Sequence, residues 1–122
     1  MIMDNKLPKS ERLNSTNDIS SLFKSKNNVS YEELTILFDH QKGINQSVKI
    51  LISVPKKIHS RAVTRNKIKR LIREAYRRNK HIISSFHGHL YLGICYNCQE
   101  ILHFSEIEEK IKVILQRLND KI

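Results

Sequence analysis

Residues 65–78, RNKIKRLIREAYRR, combine dense positive charge with a regular apolar spacing, and half of these fourteen residues are Lys or Arg. The apolar side chains recur three and four residues apart, which is the period of an α-helix with one buried face. At 100° per residue they cover one arc of about 140°. This apolar arc contains Ile68, Leu71, Ile72, Ala75 and Tyr76. The stretch therefore predicts a helix that packs one side on a core.

The opposite side of this helix is a stripe of nearly uniform positive charge, called the basic stripe below. Its members are Asn66, Lys69, Arg70, Arg73 and Arg77. Like charges lie four residues apart in Lys69–Arg73 and Arg73–Arg77, and such pairs destabilise an isolated helix. An ordinary solvated face is the alternative interpretation, but such a face mixes acidic and basic residues. A stripe that weakens its own helix indicates a polyanionic partner.

The excess charge of the whole chain is concentrated around this helix. The 122 residues include 22 Lys and Arg against 12 Asp and Glu, a net charge of +10. Residues 56–80 contain eleven basic residues and one acidic residue, so this segment carries the entire excess. Nucleic acid is the first candidate partner and an anionic membrane the second. The membrane fits poorly, because a membrane-surface helix needs a free apolar face and this face is needed for the core.

Length and composition predict a single domain, residues 1–122, with 1–14 loosely ordered. Apolar residues make up 39% of the chain, which is compatible with a modest core. No apolar run approaches the roughly 20 residues of a membrane span, and the N-terminus lacks the apolar centre of a signal peptide. We therefore expect a cytoplasmic protein.

Periodicity along the chain predicts the element order α-β-β-α-β-α, an α+β fold with helices against a small sheet. The first two strands, joined by a short loop, are expected to form an antiparallel hairpin, and 26–30 a polar turn. Expected helix caps are Thr16 or Asn17, then Ser60, then Ser105 in a capping box with Glu108. The predicted elements are a helix at 16–25, strands at 32–39 and 47–54, the basic helix at 60–80, a strand at 89–97 and a helix at 105–118.

Cys95 and Cys98 form a C-x-x-C pattern, which allows a small metal-dependent or redox enzyme as an alternative. A lone pair of thiols needs two further ligands for zinc, and the histidines are scattered. Residues three apart on a strand also face opposite sides. Reduced structural thiols are therefore the favoured interpretation, with no metal site. The sequence shows no nucleophile–base arrangement and no Gly-rich phosphate loop, so no catalytic residue is predicted.

The segment AVTRNKIKRLIREAYR, residues 62–77, resembles the signature of the bacterial ribonuclease P protein component. The preceding ILISVPKKI, residues 50–58, and the opening LPKSERLNSTNDISSLF, residues 7–23, are also similar to that family. The resemblance covers roughly residues 7–118. It implies an α-β-β-α-β-α two-layer sandwich whose small, mostly antiparallel sheet contains a left-handed β-α-β crossover.

The resemblance also implies a function, that of the protein subunit of the ribonucleoprotein endoribonuclease that removes the 5′ leader of precursor tRNA. Its partners would be the catalytic RNA and precursor tRNA, with neither DNA nor membrane. The RNA would carry catalysis, Mg²⁺ would act through RNA and substrate, and the protein alone would be inactive. Carried onto this chain, the RNA-binding residues are Lys56, Lys57, Arg61, Arg65, Asn66, Lys67, Lys69, Arg70, Arg73 and Arg77. The residues assigned to a leader-binding cleft between the first helix and the sheet are Arg12, Ile19 and Phe23.

The chain departs from the family pattern at three of these positions. Lys67 stands where Arg is common, although a point charge still meets a phosphate. His59 replaces a common Gly, which puts the turn geometry in question. Ile19 replaces a common Phe and offers no π-face for stacking on a base.

Two further functions compete with this interpretation. A structural RNA-binding protein, such as a ribosomal component, would lack the leader-binding site. A helix-turn-helix DNA binder would need a helix shortly before the basic one, where a strand ending at Pro55 is predicted instead.

Overall fold

The computed structural model describes residues 9–13 and 15–122 and has an α+β architecture, as predicted. Three helices accompany one four-stranded mixed sheet. The expectation of loose order for 1–14 falls largely on residues outside the described part. The helices are α1 (Thr16–Lys24), α2 (Ala62–Asn79) and α3 (Phe104–Lys121), with short 3₁₀ turns at Lys9–Glu11 and Lys80–Ile83. The strands are β1 (Asn28–Tyr31), β2 (Leu34–Lys42), β3 (Ser47–Ser53) and β4 (Gly88–Tyr96).

The strand order is β1-β2-β4-β3. The first two predicted strands correspond to β2 and β3, and the hairpin expected between them is wrong. Strand β4 inserts between them, antiparallel to β2 and parallel to β3. Leu90, Leu92 and Ile94 of β4 are fully buried, and the most buried strand takes a central place. The short loop between β2 and β3 could not reveal this, because the pairing is decided by a strand almost 40 residues later. Helix α2 thus forms a β3–α2–β4 crossover, whose left-handed sense stays a prediction.

Strand β1 occupies residues that were expected to form a polar turn. It pairs with β2 from Asn28↔Leu37 to Tyr31↔Leu34, and Glu32 takes a left-handed φ of 52° in the tight turn between them. Only Val29 of β1 is buried, so the strand has almost no hydrophobic signature. Two α3 side chains stabilise its outer edge, Arg117 donating to the Ser30 carbonyl and Lys121 to the Asn28 carbonyl. This edge strand therefore depends on tertiary contacts.

Helices α2 and α3 pack on one face of the sheet and bury the side chains that the periodicity selected. In α2 four members of the apolar arc and the polar Asn79 are buried, whereas Leu71 at the margin of the arc is only half-buried. In α3 all five predicted positions are buried, namely Ile107, Ile111, Ile114, Leu115 and Leu118. The two-faced character of both helices is confirmed.

The short α1 lies on the other face of the sheet. Its one buried side chain, Leu22, sits over Gly93 of β4. A Cβ at Gly93 would lie 3.0 Å from Leu22 Cδ2, tighter than ordinary contact, so this glycine lets the helix approach the strand. Contact at a single apolar position leaves sheet surface accessible on both flanks of α1.

All three helix starts differ from the expected caps. Ser15 caps α1, its Oγ accepting from Asp18 N at 3.5 Å. Helix α2 begins after Arg61, with no side-chain cap in place of the expected Ser60. In α3, His103 is the N-cap and Glu106 its capping-box partner, two residues before the expected pair. Residues that can cap a helix lie near each start, and the packing of the helix decides at which of them it begins.

Candidate nucleic-acid interface

The basic stripe lies on the outer face of α2, opposite the buried arc. Asn66 and Arg70 are exposed, whereas Lys69 and Arg73 are partly covered at their stems. Lys67 is also exposed beside the stripe. Because Ile68 and Ile72 are fully buried on the inner face, the helix holds these cations on a rigid support.

Arg77 differs from the other members of the stripe because it is ion-paired. Its Nη2 lies 2.6 Å from Glu74 Oε1 and its Nε donates to Glu74 Oε2 at 3.1 Å. The bidentate pair raises the pKa of Arg77 and lowers that of Glu74, chiefly through these hydrogen bonds. Because Glu74 offsets its charge, Arg77 is less available to an anionic partner than the other cations of the stripe.

Arg12 joins the basic stripe from the N-terminal segment. Its backbone forms a parallel bridge with Ile50 of β3, and Leu13 N donates to the Ile50 carbonyl at 2.9 Å. Bridge partners share a face, and Ile50 points to the α2 side. Burial and the neighbouring charge of Arg12 lower the pKa of Arg73. Arg12 was expected beside Ile19 and Phe23, but the structure groups it with the basic stripe instead.

The loop that leads into α2, residues 55–61, forms the second part of the interface and is called the basic loop. Lys56, Lys57 and Arg61 are all exposed there. Arg65 ties this loop to the helix, its Nη1 donating to the carbonyls of His59 at 3.0 Å and Ser60 at 2.8 Å. A guanidinium has five donor hydrogens, so Arg65 still presents others outward.

His59, at the position where Gly is common in the family, has a structural role. Its Nε2 lies 2.6 Å from the Cys98 carbonyl and its ring packs 6.2 Å from that of Tyr96. The backbone N–H groups of Ile58 and His59 both donate to the Pro55 carbonyl, closing the turn. Positive φ occurs only at Glu32 and Gly88 within the described ranges, so the turn at His59 forms without glycine geometry. The basic loop is therefore anchored to the chain that follows β4.

The two flanks of α1 differ in chemistry. With Leu22 pointing at the sheet, a rotation of 100° per residue puts Ile19 and Phe23 on one flank and Asp18 and Ser21 on the other. Ser21 Oγ contacts Asp39 Oδ2 at 3.4 Å, which fixes the polar flank above that part of β2. The flank with Ile19 and Phe23 therefore overlies the opposite end of the sheet.

This end of the sheet and the α1 flank above it correspond to the cleft that the resemblance implies, and the name leader cleft is kept for it below. Its floor is the cross-strand row Thr35, Cys95 and Ser53, all half-buried. Its wall includes Phe23, which is 53% exposed, and the half-buried Ile19. Ser53 ends β3 just before the basic loop, so the cleft opens beside Lys56 and Lys57. Sequence reasoning missed the floor, because a row across three strands depends on a strand order that periodicity cannot give.

The two cysteines have different surroundings, and Cys98 does not belong to the strand on which the alternation of faces was expected. Cys95 belongs to the floor of the leader cleft, where burial raises its pKa. Cys98 lies beyond the strand end and packs against the core, and both cysteines are free. Over residues 9–13 and 15–122, no group of three or more His, Cys, Asp or Glu side chains could hold a metal ion. In the same ranges, no helix has the length and apolar character of a membrane span.

Comparison with known proteins agrees with this arrangement. The Ribonuclease P family model matches residues 7–119. The ribonuclease P protein component of Chlorobaculum tepidum is 36% identical over 84 residues, which are 66% of this chain and 54% of that relative. The chain thus matches just over half the length of this curated relative.

Two solved structures have the same fold. The RNase P protein of Thermotoga maritima superposes with a TM-score of 0.71 at 30% identity, over 88% of this chain and 96% of that one. The RNase P protein of Staphylococcus aureus gives a TM-score of 0.73 at 24% identity, over 90% and 96%, and supports the fold alone. With a family model that matches nearly its whole length, the chain belongs to the ribonuclease P protein family.

Proposed function

We propose that this protein is the protein subunit of ribonuclease P and promotes removal of the 5′ leader from precursor tRNA. The observation that carries the proposal is the outer face of α2, where a row of cations stands on a helix whose inner face packs on the core. Arg12 and the basic loop extend this surface. The partners are the catalytic RNA and precursor tRNA in the cytoplasm, with neither DNA nor membrane involved.

The protein acts by charge and position. Lys and Arg side chains neutralise phosphates that crowd where RNA helices meet, and counterion release drives the binding. The leader cleft offers an aromatic side chain and an uncharged floor to an extended single strand, as stacking platforms do in other single-strand binders. Catalysis and the Mg²⁺ ions are assigned to the RNA and its substrate.

Reconstitution tests this function directly. The purified protein is mixed with a bacterial ribonuclease P RNA, and cleavage of precursor tRNA is followed across a Mg²⁺ titration. We expect the mixture to cleave at lower Mg²⁺ than the RNA alone, because protein cations replace part of the counterion requirement. We expect no cleavage by the protein alone. Specific 5′ cleavage by RNA-free protein that persists through further purification would contradict the assignment of roles.

Replacing Phe23 by Ala tests the leader cleft. Binding of the holoenzyme to precursor tRNA should weaken by up to about 1–3 kcal/mol if a leader base stacks on the ring. Binding to mature tRNA, which has no leader, should not change. Because the Phe23 side chain is about half exposed, the variant should fold normally. The measurement is the dissociation constant for each tRNA.

The matched control for this variant is Ile44→Ala, which truncates a fully exposed apolar side chain in the β2–β3 loop. It should leave both affinities unchanged. Equal weakening of precursor and mature tRNA by Phe23→Ala would argue against a leader site and favour an RNA-binding protein without a substrate cleft.

A further inference from the structure

The second flank of α1 overlooks a groove that the proposed function does not use. Its floor includes Asp39 of β2 and Tyr91 of β4, and the same cross-strand row continues beyond the groove to Lys49 of β3. The next row adds Gln41 and His89. The groove has a volume of about 490 Å³ and is lined by Asp39, His40, Gln41, His89 and Tyr91. It lies across α1 from the leader cleft, and its chemistry is different.

The row is polarised from one side to the other. Neighbouring strands are about 4.8 Å apart, so the Cα atoms of Asp39 and Lys49 stand roughly 10 Å apart, with Tyr91 between them. Asp18 of α1 adds a second carboxylate near the ring. Burial first, and then the charges of Asp18 and Asp39, raise the pKa of Tyr91, so the phenol remains protonated. The groove therefore presents an acceptor and a ring, and the cation of Lys49 stands next to the ring at the end of the same row.

This order matches the parts of a single nucleotide. A base can stack on the half-exposed Tyr91. The His89 ring stands beside it, with its centroid 6.5 Å away and its plane tilted by 51°. A phosphate suits Lys49 and is repelled by Asp39, which sets the direction of the nucleotide across the strands. The edge of the base then faces the Asp39 carboxylate. A groove that only tracked phosphates would not carry two carboxylates.

We propose that the Asp39–Tyr91–Lys49 row binds one unstacked nucleobase of the RNA partner and prefers guanine. An ionised carboxylate only accepts hydrogen bonds, and it has about four acceptor positions. The long contact from Ser21 therefore leaves Asp39 room for a base. Guanine presents two adjacent donors, N1–H and the N2 amine, which fit the two carboxylate oxygens in bidentate fashion.

The other bases fit this site less well. Adenine and cytosine each place an acceptor nitrogen beside their one amine, which opposes the second carboxylate oxygen. Uracil has one N–H between two carbonyl acceptors. The preference rests on the proposed function, because an RNA partner must bring unpaired bases to this face.

The probes for the test are the pentaribonucleotides UUGUU, UUAUU and UUUUU, titrated into the full-length protein and followed by ¹H–¹⁵N correlation spectra. UUGUU should bind at least about fivefold tighter than UUUUU, the lower end expected for a bidentate base contact. Its largest shifts should fall on the amides of Asp39, Tyr91 and Lys49. UUAUU should bind with intermediate affinity.

Three variants separate the parts of the contact. Asp39→Asn keeps the size of the side chain but replaces an acceptor by a donor, so the preference of UUGUU over UUUUU should disappear. Ser21→Ala removes the hydroxyl contact to Asp39 and should keep the preference, which excludes an indirect effect through α1. Lys49→Gln should weaken all three oligonucleotides equally and reduce the salt slope by about 0.7.

The proposal is overturned if the wild-type protein binds the three oligonucleotides equally, or if Asp39→Asn keeps the guanine preference. Shifts restricted to Ile19, Phe23 and Cys95 would also overturn it, because they would place the base in the leader cleft. None of these results affects the reconstitution or Phe23→Ala tests. Conversely, failure of reconstitution with an intact guanine preference would reject the proposed function and leave the base site.

Discussion

Simultaneous replacement of Lys69, Arg70 and Arg73 by Gln is expected to flatten the salt dependence of RNA binding by roughly 2 to 3 units in the slope of log K against log salt concentration. Each neutralised phosphate contributes about 0.7 to 0.9 to that slope. Arg73 should contribute fully, because its partly buried guanidinium is already held near Arg12. The measurement is the affinity for a bacterial ribonuclease P RNA between low and moderate salt.

The fold of this triple variant should survive. The three side chains point away from the apolar arc, and losing like charges four residues apart relieves repulsion within α2. A matched control replaces three exposed cations outside α2, Lys26, Lys42 and Lys112, by Gln. This control removes the same net charge but should change the slope far less. If both triple variants reduce affinity and slope equally, general charge and not the basic stripe governs RNA binding.

The two-faced helices could be predicted because an amphipathic helix is encoded locally. Ile68, Ile72 and Ala75 are buried where the 3.6-residue period put them, and the cations of α2 lie opposite. This half of the candidate interface could be predicted because it requires only that one helix packs one of its faces on the core. The family resemblance added what the partner would be, and the family match agrees with it.

The leader cleft and the groove beside Tyr91 could not be predicted in the same way. Both are rows across three strands, and β4 reaches its central position only through a crossover. Strand β1 was missed because its stability comes from Arg117 and Lys121 of α3 and not from its own pattern. Arg12 was misplaced because one backbone bridge to Ile50 decides which face it joins. In each case a contact distant in sequence overrides the local signal.

Replacing Gly88 by Ala should cost roughly 2–5 kcal/mol of unfolding free energy, combining backbone strain with overpacking. Gly88 begins β4 with φ of +132°, a conformation that residues with a Cβ rarely adopt. A Cβ there would lie 2.1 Å from the Gln41 carbonyl oxygen and 2.8 Å from Gly43 N. These are backbone atoms of the paired strand end, so they cannot move aside without breaking the β2–β4 register. Urea denaturation should show the loss as a lower midpoint with a similar m-value.

The control is Gly43→Ala, which follows the β2 residue that pairs with Gly88. Its Cβ would meet only the Gly88 Cα, at an ordinary 3.8 Å, so stability should change by less than about 0.5 kcal/mol. Equal midpoints for the two variants would show that the positive φ of Gly88 carries no cost. The proposed RNA partner offers a further check, because a ligand that binds only the folded state adds about 2.7 kcal/mol of stability at 100 times its dissociation constant. Saturating catalytic RNA should therefore restore much of the unfolding free energy that Gly88→Ala loses. The triple Gln variant folds but is expected to bind RNA poorly, so the same RNA should stabilise it much less.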